Sequence, residues 1–186
     1  MRSSVILGFL LVGCVSDLVP PPAPAVHWFS LDRTRVVQSV SARPSTVSVH
    51  LESVEAARHL SDRLVRRISD VEFTVHEDTH WVEAPVRVLE RSLRRALFEE
   101  RGLVSDFLGD DLVLTCELVS LEEDRRSAPV ARVVLHLELS SQFRLIRSKT
   151  ITKTVAITSP MIEATALAMA QALELAVDAA AEWVAP

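Results

Sequence analysis

Arg132-Val133-Val134-Leu135-His136-Leu137-Glu138-Leu139 is the stretch that decides the fold class. Val133, Leu135, Leu137 and Leu139 fall on one side, joined further on by Phe143. Arg132, His136, Glu138 and Gln142 fall on the other. Side chains on a strand alternate between two faces, so this pattern predicts a long strand with one buried face. Upstream, Leu112, Leu114, Cys116 and Leu118 repeat the period and predict its neighbour. Downstream, Arg147-Ser148 is expected to turn the chain into a last strand over Thr150 to Thr158, which is rich in β-branched residues.

Helical periods flank these strands. Over Pro85 to Arg101, Val86, Leu89, Leu93 and Leu97 form a stripe with Ala96 beside it, while Arg87, Glu90, Arg91, Arg94 and Glu99 cover the other side. Glu90–Arg94 and Arg95–Glu99 are spaced as i,i+4 pairs, Pro85 suits the first turn and Gly102 the stop. After the last strand, Ser159 is expected to cap a second helix, with Pro160 at its first position and Glu163 at its positive end. Its stripe is Ile162, Ala166, Met169, Leu173, Val177, Ala180 and Val184. Glu174, Asp178 and Glu182 interrupt it too often for a membrane span.

Nearer the start, His27-Trp28-Phe29-Ser30-Leu31 reads as a short strand and Thr46 to Val54 alternates as another. Glu55 to Leu60 reads as a short helix or turn, followed by Leu64–Arg67 and then by Val71, Phe73 and Val75. Arg63, Arg66 and Arg67 are expected on a solvated strand edge. Trp81, just before a helix, is expected in the core or as a staple. The sum is an α+β domain: a mostly antiparallel sheet with two long helices packed on one face.

The first residues read differently. Arg2 supplies a positive charge, Val5 to Val12 is apolar apart from Gly8, and Leu11-Val12-Gly13-Cys14 follows. Charge, short apolar core and small residues make residues 1–13 a candidate secretory signal. The run is far shorter than the ~20 apolar residues of a bilayer span. Leu11–Cys14 has the form of a lipobox, whose cysteine takes a diacylglyceryl group and becomes the new N-terminus. Val15, in place of an aspartate, favours the outer membrane under enterobacterial sorting, with inner-membrane anchoring left open. Pro20, Pro21, Pro22 and Pro24 make residues 14–26 an extended tether, with a reach of roughly 35 Å at ~3.1 Å per residue. Residues 27–186 then form one domain.

Composition narrows the partners. The chain of 186 residues carries a formal charge of −5 and no strongly basic block, which argues against nucleic acid. Cys116 is the other cysteine. With Cys14 acylated it has no disulfide partner, and its apolar neighbours suit a small core side chain. Four glycines are too few for a phosphate-cradling loop, and no G-x-S-x-G elbow occurs.

One motif carries an alternative. His76-Glu77-Asp78-Thr79-His80 matches H-E-x-x-H, in which two histidines on one helical face bind zinc and the glutamate serves as general base. Its context favours a strand end or exposed turn. Alternation runs up to Val75, Asp, Thr and His are mediocre helix formers, and Pro85 disfavours helix just before itself. An exported zinc metallopeptidase using His76, Glu77 and His80 is the rival reading. A lipoprotein that assembles another envelope complex is a third.

Taken in order, the lipobox, the proline tether, His27–Leu31 and Arg58-His59-Leu60-Ser61-Asp62-Arg63-Leu64-Val65-Arg66-Arg67 make a pattern. Trp81 and Pro85 then open an L-x-x-x-L helix, two long strands follow, and a helix ends Ala181-Glu182-Trp183-Val184. The whole resembles the ABC-type transport auxiliary lipoprotein family, the paraquat-inducible protein C or YmbA-like group. Phe29 stands where that family usually has tyrosine, and Ser61-Asp62-Arg63 approximates its Leu-Asp-Arg. The resemblance implies a non-enzymatic component of an Mce-type system that moves phospholipid or other hydrophobic molecules. It implies no cofactor and a periplasm-facing place at the outer membrane. Its partners would be an Mce-domain protein or its channel and, through it, an ABC permease and ATPase, with a homo-oligomer also open.

Overall fold

The computed structural model describes residues 25–33, 46–105 and 112–185. Cys14, the expected signal and the Pro20–Pro24 tether lie outside the described residues. The elements run β1 (His27–Phe29), β2 (Val49–Ala56), β3 (Arg63–Arg67), β4 (Phe73–Trp81), α1 (Pro85–Arg94) with a π-helical continuation (Arg95–Glu100), β5 (Leu112–Asp124), β6 (Val130–Ser141), β7 (Arg144–Ala156) and α2 (Ile162–Val184).

Among the described residues the seven strands make one sheet, in the order β1-β4-β3-β5-β6-β7, with β2 also on β5. The long pairings β5–β6 and β6–β7 are antiparallel, as is β3–β4. Three pairings are parallel: β1–β4, β2–β5 and β3–β5. The sheet is therefore mixed. The two parallel pairs on β5 arise because β2 and β3 precede α1, and the chain then returns to start β5 from the same end, as parallel neighbours require. β2 covers Leu112 to Leu118 of β5, and β3 covers Glu122 to Asp124, so one edge of β5 takes two strands end to end.

Both helices cover one face. α2 packs on β5, β6 and β7, and α1 on β2 and α2. Leu114, Cys116, Leu118, Leu135, Leu137 and Leu139 point into this layer and are buried. Cys116 has no disulfide, and burial pushes its thiol up to about 12. On α2 the expected stripe is buried from Ala166 through Val184, and Ile162 is half-buried. By length and composition α2 could cross a membrane, but 61% of that window is buried in this fold, as befits a core helix. Among the described residues the buried core runs from Leu31 to Val184, so a fragment from residue 25 onward keeps all of that core.

Several expectations are corrected. α1 begins at Pro85, but its buried face is Val88, Leu89 and Leu93, with Val86 only half-buried. The helix widens at Arg95, so Arg95 reaches Glu100 at 3.6 Å, five residues on, where Glu99 was expected. Gly102 does stop it, at φ 64°. α2 starts at Ile162 rather than Pro160. The Ser159 hydroxyl accepts from the Met161 N–H instead of capping the helix. β2 runs through Ala56, where a helix or turn was expected, and β4 runs on to Trp81. β5 extends beyond Leu118 to Asp124, while β6 starts two residues early, at Val130, and stops at Ser141, short of Phe143.

The last hairpin turns five residues early, at Gln142-Phe143, with Ser141 opposite Arg144. Phe143 is therefore not in the core stripe. It stands at the turn, fully exposed. Both turn residues are left-handed, φ 49° and 59°, a geometry that favours Asn-Gly and costs roughly 1–2 kcal/mol per non-glycine residue. No local turn signal marks the site, and the long β6–β7 ladder imposes it.

Two stability measurements check this account. Leu93→Ala, at a wholly buried position, should cost about 2–5 kcal/mol in denaturant unfolding, and Arg94→Ala on the exposed face well under ~1. Equal costs would mean that the faces are misassigned. Replacing Gln142-Phe143 by Asn-Gly should raise stability by about 1 kcal/mol, because Phe143 buries nothing that would be lost.

Candidate functional site

The H-E-x-x-H residues lie on β4. A register irregularity interrupts the β3–β4 pairing between Val75 and His80, inside the motif. An extended strand does not repeat the helical spacing by which H-E-x-x-H presents two histidines and a glutamate to one zinc ion. Each histidine instead engages its own carboxylate. Nδ1 of His80 lies 3.1 Å from Oδ2 of Asp62, and Nε2 of His76 lies 3.3 Å from Oε2 of Glu123. An ionised carboxylate only accepts, so Nε2 of His76 carries the proton it donates to Glu123. Among the described residues no group of three His, Cys, Asp or Glu is placed to hold a metal.

The richest chemistry lies one strand over. Glu122 and Glu123 are completely buried, and Asp124 nearly so, at the end of β5. Buried carboxylates demand partners, and arginines from three directions supply them. From β3, Arg66 Nε donates to Glu123 at 2.7 Å. Arg67 forks onto both oxygens of Glu122, at 2.7 and 3.3 Å. Arg132 from β6 reaches Glu122 at 3.4 Å. From the turn beyond β5, Arg125 binds Glu123, and Arg126 bridges Asp124 to Asp70. Arg67 also lies 4.1 Å over the Phe73 ring, a cation–π contact. The expected solvated edge at Arg66 and Arg67 is thus overturned: β3 has neighbours on both sides, and both arginines turn onto buried acid.

Charge assignments follow. Burial alone would push the Glu123 carboxyl up. Hydrogen bonds from His76, Arg66 and Arg125 outweigh it and hold the group at about 2, against an ordinary 4.5. Asp124 is held at about 2 chiefly by its hydrogen bonds from Arg126. Such carboxylates stay ionised at neutral pH and neither give nor take a proton, so the cluster works as a clamp across β3, β4, β5 and β6.

The soft motifs converge nearby. The Trp81 N–H donates to the Asp62 carbonyl at 2.6 Å, and the Val82 N–H to the Phe29 carbonyl at 2.9 Å. Trp81 is buried, as expected, and Trp28 stacks on His80 at 4.8 Å. Arg91 of α1 clips Glu83 and Asp32 at 2.8 and 3.0 Å. Phe29, Asp62, Trp81 and Pro85, far apart in sequence, thus form one joint between the sheet edge and α1. Between the helices and Leu31–Arg33 lies a cavity of about 20 Å³, room for one water.

No family model matches the chain, and neither does any curated protein. Solved structures do match. A Xanthomonas campestris protein assigned to the DUF330 family is 24% identical, covers 85% of this chain and 94% of its own, and superposes with a TM-score of 0.71. An uncharacterised protein is 15% identical, covers 87% and 99%, and scores 0.67. These likenesses place the fold. A minor lipoprotein from Acinetobacter baumannii is more distant, at 12% identity, coverage of 77% and 90%, and a TM-score of 0.40.

Sequence reading ended β5 at Leu118 and so missed the carboxylate cluster. The run Glu122-Glu123-Asp124-Arg125-Arg126 reads as a solvated loop, and only the positions of Arg66, Arg67 and His76 show otherwise. Its usable signal was the surplus of arginine in Arg63–Arg67.

The cluster sets an acid limit. A depressed folded pKa contributes stability that is fully present above the unfolded value and is lost as pH falls through the folded one. For Glu123 that window runs from 4.5 down to about 2, with up to about 3 kcal/mol at stake. Urea unfolding across this range should show a falling stability in the wild type. In Glu123→Gln the neutral-pH value should be lower and the acid slope flatter. An unchanged slope would show that Glu123 does not govern the acid limb.

Proposed function

We propose that this is a membrane-tethered accessory lipoprotein, lipidated on Cys14, which docks an Mce-domain protein or its channel at the outer membrane, facing the periplasm. Through that partner it serves an ABC permease and ATPase that move phospholipid or another hydrophobic solute. The observation that carries the proposal is the sequence Leu11-Val12-Gly13-Cys14, followed by a proline-rich stretch that leads into the folded core. The DUF330-like fold fits the family that the sequence resembles. In this reading the domain holds rather than catalyses. Its buried acids are neutralised, and His76, Glu77 and His80 are spread along a strand, which weighs against the peptidase reading. The core between sheet and helices is filled by leucine, alanine and methionine. Cargo would therefore pass through the partner and not through this domain.

Cys14→Ala should abolish metabolic palmitate labelling and leave an uncleaved precursor, and continued labelling would refute lipidation. A firmly held triacylated cysteine should keep the wild type in the membrane fraction. Photo-crosslinking from the folded domain in intact cells should capture a component of a lipid transporter. Capture of cell-wall enzymes alone would sink the docking role.

A further inference from the structure

We infer that the β6–β7 hairpin tip, Phe143 to Arg147, is a wedge that enters the surface of an anionic phospholipid bilayer. Phe143 is wholly exposed, and Leu145 and Ile146 are exposed at 59% and 54%. Three large apolar side chains within four residues thus stand clear of the described core at the hairpin tip. Exposed apolar clusters of this kind mark contact with a membrane or partner.

The strands behind it shape the wedge. The left-handed turn at Gln142 and Phe143 fixes the apex, and the register slips between Leu139 and Ser140, opposite Leu145 to Arg147. Arg147 then ties the strand to the end of α2. Its guanidinium donates to the Trp183 carbonyl at 3.0 Å and lies 4.6 Å over the Trp183 ring. The tip is thus braced against the helix layer, with a tryptophan beside it.

Charge selects the occupant. Between Glu138 and Glu163 there is no acidic residue, while Arg144, Arg147, Lys149 and Lys153 lie on the strand, in a chain whose net charge is −5. Lys149 and Lys153 would also guard an edge strand against pairing. That purpose explains neither Phe143 nor Leu145 nor Ile146. Aromatic and aliphatic side chains flanked by Arg144 and Arg147, with Lys149 and Lys153 further along the same strand, match the boundary between acyl chains and anionic headgroups. The β3–β4 tip offers the contrast. There Val71 and Phe73 are exposed, but Asp70 and Glu72 sit among them, and Arg67 and His59 already cover the Phe73 ring. A convex basic wedge suits a deformable lipid surface better than a protein, which would need a matching acidic cleft.

The inference goes beyond the docking role and does not require Cys14 to be lipidated. Its test therefore uses the unanchored fragment 25–186. In flotation, this fragment should rise with vesicles of phosphatidylglycerol and phosphatidylcholine. It should stay behind with pure phosphatidylcholine, and salt should weaken the association. Phe143→Ser with Ile146→Ser, both at exposed positions, should weaken binding roughly tenfold or more at an unchanged melting temperature. Arg144→Glu should weaken it and reduce the salt dependence. In Phe143→Trp, the emission gained over wild type should be quenched by brominated phosphatidylglycerol. Wild-type binding by the double variant, absence of binding to either vesicle, or benzophenone at 143 capturing a protein in place of lipid would each overturn the inference.

Discussion

The sheet depends on how its central strand ends. β5 finishes in Glu122, Glu123 and Asp124, all enclosed, and a carboxylate removed from water without partners is costly enough to prevent burial. Arg66 and Arg67 neutralise two of them only if β3 lies parallel on β5 in the observed register. Arg132 contributes only if β6 pairs on the other side, and His76 only if β4 follows β3. One electrostatic requirement thus sets the register of three neighbouring strands. Glu122 and Glu123 each take more than one cationic partner, so the loss of one arginine would weaken the clamp without stripping either buried charge of all its compensation.

The other end of the sheet obeys a different rule. From Leu112 to Leu118, β5 lies between β2 and β6, with leucines beneath α2. Ala166, Ala170, Ala176 and Ala180 line the buried side of α2, and such small side chains let the helix lie close to the leucine-rich strands. α1 meets both β2 and α2, and its π-helical turn re-aims the last buried residues, Ala96 and Leu97, onto the core. Hydrophobic burial orders the lower half, and ion pairing registers the upper.

That division explains what the sequence could disclose. Alternation at Val133–Leu139 and the α2 stripe are local patterns created by burial on one face, so strand, helix and their facing layers were legible from them. Buried acid produces no such pattern. Glu122-Glu123-Asp124 looks like solvent-facing chain until Arg66, Arg67 and Arg132 are placed around it, and those partners are distant in sequence. The final turn was misplaced for a related reason. Gln142-Phe143 carries no turn chemistry, and the β6–β7 ladder forces both residues into left-handed conformations. H-E-x-x-H continues the strand that its flanking alternation predicts. Its location inside β4 rather than at a strand end follows from β1 pairing with Thr79 to Trp81.

Among the described residues the titratable side chains of the sheet are largely committed to holding strands together. Glu122 and Glu123 are held in multiple ion pairs, His76 and His80 each serve a carboxylate, and the Cys116 thiol is buried with its proton retained. Groups fixed in this manner cannot change partners without loosening the sheet, and so they make poor acids, bases or nucleophiles. Unused free energy lies instead at the surface, where large apolar side chains meet water at the hairpin tips. At the β6–β7 tip the ladder holds Gln142 and Phe143 in left-handed conformations, so the cost of ordering that turn is met in folding and would not fall on an encounter with another surface.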